Sequence, residues 1–117
     1  MLFSNLILAC HLLVSFALFT NQFMSGEEAI ISVAGATPPG AVLVACSVSG
    51  AGPTPTQHGA AELSVPIKVL PALTSDSSGM SKISVTLPAA LSGAQVWLQA
   101  VDLSAGVLSN GAERIVQ

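Results

Sequence analysis

Past position 27, large apolar residues recur at every second position in short runs that glycine and proline interrupt, whereas positions 2–19 are apolar almost without a break. Period two places alternate side chains on opposite faces of an extended strand, so the second part of the chain predicts β-structure. Strands are expected over 28–34, 41–49, 63–70, 80–87, 94–103 and 106–116. In the first, Ile30 or Ile31 and Val33 are available to a core; in the second, Val42, Val44, Cys46 and Val48 share one face. The clearest alternation sets Ile83, Val85 and Leu87 against Lys82, Ser84 and Thr86. Within 94–103, Val96, Leu98 and Ala100 are core candidates, and Trp97 and Val101 belong to the opposite face.

The breaks between these runs have turn chemistry. Thr37-Pro38-Pro39-Gly40 ends the first strand, because its prolines fix φ and lack a donor. Asp76-Ser77-Ser78-Gly79 predicts a turn capped by the Asp76 side chain, and 88–93 allows one helical turn. The breaker-rich stretch 50–59 reads as a loop. Pro66 cannot donate to a ladder, which puts 63–70 at a sheet edge or a bulge; Asn110-Gly111 predicts a bulge or tight turn. With no convincing amphipathic helix between the strands, a parallel α/β arrangement is excluded.

Charge divides the chain. Only 8 % of its 117 residues are charged, and every one lies at or after Glu27. Residues 1–25 therefore read as a hydrophobic leader, expected to be helical, and residues 26–117 as one β domain near the usual size of an immunoglobulin-type sandwich. The leader suits either an export signal or a retained membrane anchor. Ser15 and Ala17 offer a small-x-small cleavage site, with Thr20 and Ser25 poorer ones, so a mature start between Ala17 and Glu27 is expected. No Lys or Arg precedes the apolar run, which also admits a start upstream of Met1 or a fragment of a longer chain. Cys10, after Ile7-Leu8-Ala9, is a weak match to a lipidated cysteine, since most of the apolar run follows it. The domain contains only Lys68, Lys82 and Arg114 as cations against six acids, so it offers no basic face for nucleic acid.

Five short stretches carry a resemblance: Val33 through Thr37-Pro38-Pro39-Gly40, then Gly52-Pro53-Thr54-Pro55, Leu87-Pro88, Leu98-Gln99-Ala100-Val101-Asp102-Leu103, and Ser109-Asn110. In this order they resemble the immunoglobulin-like β-sandwich repeats of large secreted and cell-surface bacterial proteins, over most of 30–116. The resemblance implies an antiparallel sandwich of about seven strands and a secreted or cell-surface location. It implies no activity, and the chain stands alone behind its leader rather than in a tandem array.

His11 lies in the leader and His58 in the loop, so the domain holds no paired-His zinc site. His58 and Glu62 have helical ligand spacing, but the surrounding Pro53, Pro55 and Gly59 favour a solvated loop histidine. Asp76, Asp102 and the Glu27-Glu28 pair could serve calcium, yet no Asp-x-Asp-x-Asp cluster gathers them. Cys46 reads as a small buried hydrophobe, and no serine lies in a nucleophile elbow. No catalytic residue, metal or cofactor is assigned. The expected function is an exported, non-catalytic structural or adhesive module that contacts a protein or polysaccharide, touching a membrane only through residues 1–25 if these are retained. The alternative is a carbohydrate-binding module using Trp97 and the 50–62 loop with His58; a small secreted hydrolase is a third class that no residue set supports.

Overall fold

The computed structural model describes residues 16–117, and they form an all-β protein with antiparallel pairing throughout. Its strands are β1 (Ala17–Thr20), β2 (Glu28–Ala34), β3 (Ala41–Ser47), β4 (Thr54–Thr56), β5 (Gly59–Ala61), β6 (Lys68–Val69), β7 (Leu73–Thr74), β8 (Ser81–Thr86), β9 (Gln95–Asp102), β10 (Val107–Leu108) and β11 (Ala112–Ile115). The 3₁₀ turn Ala89–Leu91 is the helical turn expected after Leu87. One sheet has the order β1-β2-β8. The other runs β10-β9-β3-β6, with β11 continuing on β9 and β7 on β3, and β4 and β5 form a separate hairpin.

Alternation decides which residues meet. Ala29, Ile31 and Val33 of β2 face Val42 and Val44 of β3 and Val96, Leu98 and Ala100 of β9 in one buried cluster. The open choice in β2 thus falls to Ile31. In β3 the expected face holds through Cys46, but Val48 lies past the strand end and is 60 % exposed. The 63–70 run is reduced to β6, which leaves Pro66 outside any strand and pairs only with β3 at the sheet edge, one of the two placements expected. The 50–59 loop is corrected: Thr54–Thr56 and Gly59–Ala61 pair as a hairpin, with Pro55 in a strand that has a single partner.

The boundary at residue 25 is also corrected. Ala17 to Thr20 pair with Ala34 to Ile31 of β2, and Phe16, Leu18 and Phe23 are buried in the shared core. Residues 16–25 belong to the fold and contain no helix; the expected helix and Cys10 within 1–15 lie outside the described residues. An apolar run reads as a leader when its alternation is masked by apolar residues on both faces. Here Phe19 is the outward member and is 47 % exposed. Cleavage after Ala17 would cut inside β1. Among the described residues, no helix is long and apolar enough to cross a membrane.

Candidate functional site

The residues of β9 that point away from the core, Trp97, Gln99 and Val101, lie on the outer face of the larger sheet, beside Leu43, Ala45 and Ser47 of β3. The segment from Ser49 to Pro66, which contains the β4–β5 hairpin, folds back over this face and is held by side-chain and backbone hydrogen bonds. Ser47 Oγ donates to Ser64 O at 2.6 Å, Ser64 N to Gly50 O at 2.9 Å, and Gly52 N to Ser64 Oγ at 2.9 Å. Gln99 joins the hairpin to the opposite arm: its Oε1 accepts from Glu62 N at 2.8 Å and its Nε2 donates to Ser109 O at 2.7 Å. Buried Ala61 and Leu63 cover the sheet beneath.

Two separate hollows result. The first, about 330 Å³, is lined by Trp97, Glu62, Glu113, Ala51, Gly111 and Ala112. Trp97 is half-buried there rather than enclosed between the sheets, because Val96 and Leu98 take the inward positions. Glu113 stands opposite Trp97 in the β9–β11 register, and its Oε2 accepts from Gln95 Nε2 at 3.0 Å. The indole face and two carboxylates supply stacking area and acceptors for hydroxyl groups.

His58 lies in the second hollow, about 160 Å³, among Leu43, Ala45, Ile67, Val69 and Leu108. It occupies the hairpin turn, where its N–H donates to Thr56 Oγ1 at 3.1 Å. The structure therefore does not bring His58 and Trp97 into one site; the neighbours of Trp97 are Glu62 and Glu113. Glu62 carried a spacing signal, but toward His58. Glu113 and Gly111 had none, since only the strand register sets them beside the indole.

The other candidates have local roles. Asp76 Oδ1 accepts from Ser78 N at 2.9 Å, Ser78 Oγ at 2.7 Å and Met80 N at 3.0 Å, which is the predicted capped turn. The Met80 N–H, then the Ser78 hydroxyl and N–H, hold its carboxyl below the ordinary aspartate value. Asp102, 2 % exposed, accepts from Thr37 N at 2.8 Å and Thr37 Oγ1 at 2.9 Å through Oδ2, and from Ser104 N and Ala105 N through Oδ1. Burial pushes its carboxyl upward, but these donors outweigh it and the net direction is down. Burial pushes the Cys46 thiol up, against the opposing pull of Lys68. Among the described residues, no group of three or more His, Cys, Asp or Glu is placed to hold a metal ion.

Comparison with models of known protein families finds no match, and comparisons with curated proteins and with solved structures find no relative. The fold itself defines an all-β protein of antiparallel sheets around one core, with a hairpin folded over the outer face of the larger sheet.

Proposed function

We propose that this protein is an exported, non-catalytic structural or adhesive module with an immunoglobulin-like β-sandwich, of the kind found in bacterial surface proteins. The strand order supports the sandwich reading: β1-β2-β8 opposes β10/β11-β9-β3-β6, as strands A, B and E oppose G, F and C in that fold. One observation carries the functional reading. The buried polar side chains Ser47, Ser75, Gln99, Asp102 and Ser109 all direct their hydrogen bonds to strands and loops of the domain. A module of this kind is a firm scaffold whose exposed strands and loops meet another macromolecule.

Export is tested by N-terminal mass spectrometry on separated soluble, membrane and secreted fractions. Protein in the envelope or medium agrees with the proposal; a cytosolic species with intact Met1 overturns it.

A second reading, a carbohydrate-binding module, draws on the half-buried Trp97 beside Glu62 and Glu113. Trp97 is the only tryptophan of the chain, so its fluorescence reports the hollow directly. Saturable quenching by a polysaccharide, lost in Glu113→Gln, favours this reading, as does retention of the parent but not of Trp97→Ala on the same immobilised polysaccharide. Unchanged fluorescence across a polysaccharide panel removes it.

A further inference from the structure

On the β1 side the inward residues of both sheets are buried, but between the edge strands β8 and β6 the sheets part around a crevice of about 460 Å³. Ile31 and Val85 of one sheet and Cys46 and Leu98 of the other line it, together with Phe23 and Leu70. Val85, Cys46 and Leu70 line it and stay half-buried, because among the described residues no side chain fills the space beside them. The lining is apolar except for Ser47, Thr86 and one charged residue, Lys68. Lys68 is the cross-strand partner of Cys46, on the exposed edge strand that borders the crevice.

We propose that this crevice binds a long-chain monocarboxylate, with its aliphatic tail between the sheets and its carboxylate at the Lys68 ammonium. The volume falls within the range of small-molecule sites. Apolar walls without a packed partner forgo dispersion contacts, so an apolar guest is favoured over water. A single cation with no acid in the lining selects an anionic head, and one positive charge matches one carboxylate.

The test titrates the full chain with dodecanoate below its micelle threshold and follows methyl NMR signals and the alkylation of Cys46, located by peptide mapping. Saturable shifts confined to Ile31, Val85, Val96 and Leu98, with slower Cys46 alkylation, are expected. Lys68→Glu weakens binding roughly tenfold, as loss of a charge-assisted contact implies. Lys82→Glu, outside the crevice, leaves it unchanged. Absence of saturable shifts overturns the proposal. So does equal binding of dodecyltrimethylammonium, or indifference to Lys68→Glu, since either removes the charge recognition. A concentration-dependent dimer that protects the same methyl groups and excludes dodecanoate assigns the crevice to a second copy instead, and also overturns it.

Discussion

The carboxamide of Asn110 bonds both backbone groups of Leu18: Leu18 N–H donates to Asn110 Oδ1 at 2.8 Å, and Asn110 Nδ2 donates to Leu18 O at 3.2 Å. One side chain thus acts as a one-residue strand for the outer edge of β1. Asn110 can reach because the pairing with β9 shifts by one residue between Leu108↔Val101 and Ala112↔Leu98, which marks a bulge at 109–111. Nearby, Arg114 Nε donates to Thr20 Oγ1 at 2.9 Å, so the two sheets are tied at both ends of β1.

Replacing Asn110 by alanine leaves the Leu18 N–H and C=O without this partner. A loss of about 1–3 kcal/mol is expected in urea unfolding. Hydrogen exchange at the Leu18 amide should rise more than at Ile31, whose strand keeps β8. Equal exchange changes at both positions would mean that the contact does not anchor β1.

A chain lacking residues 1–15 keeps β1, whereas one lacking 1–25 loses Phe16, Leu18 and Phe23 from the core. It also loses the bonds Gln117 N to Phe23 O and Ser25 N to Gln117 O, both 2.9 Å. Each large buried side chain accounts for about 2–5 kcal/mol, and a domain holds only about 5–15 kcal/mol in all. The shorter chain is therefore expected to be unfolded by circular dichroism and thermal melting. A cooperative transition at the same temperature in both would place β1 outside the core.

Asp102 links the Thr37-Pro38-Pro39-Gly40 turn to the end of β9, and its carboxyl lies below the ordinary 3.8 in the folded protein. A depressed folded value means that the unfolded chain takes up the proton more readily. The contribution is complete above about pH 4–5 and is lost as pH falls through the folded value. Asp102→Asn is expected to cost about 1.5–3 kcal/mol at neutral pH. The gap between it and the parent should narrow as the pH approaches about 2. Asp76, exposed and shifted the same way, leaves a residual acid sensitivity in the variant. A gap that stays constant with pH would mean that the charge plays no part.

Gly79 closes the Asp76 turn at φ +79°, and a Cβ there would collide with the carbonyl oxygen of Ala36. The same two residues share a bond, Ala36 N to Gly79 O at 3.0 Å. Gly79→Ala combines a strained φ with backbone overlap, and a loss of about 1–3 kcal/mol or more is expected in urea unfolding. Gly93, at φ +82° with open space around its Cβ position, should lose less on the same change. A larger loss at Gly93 would refute the overlap argument.

Much of the fold was legible because it rests on local rules. β2 occupies its predicted span, the alternation of β8 and the inward set Val96, Leu98 and Ala100 follow from period two, and the Asp76 turn follows from its own side chain. The apolar run at 16–20 was not legible as a strand, since only pairing with β2 distinguishes it from a leader. The hairpin over 54–61 was hidden for a similar reason: Gln99, Ser47 and Ser64 hold it from a distance in sequence.

By itself, then, the sequence determined an all-β chain, the positions of most of its strands and turns, and which face of each strand is apolar, because these depend on residues within a few positions of one another. Tertiary structure alone decided that Phe16 to Phe23 complete the core, that Trp97 meets Glu62 and Glu113 rather than His58, and that Lys68 borders an apolar crevice. Those relationships arise from register and sheet packing between segments up to 94 residues apart, as with Thr20 and Arg114. No local pattern encodes them.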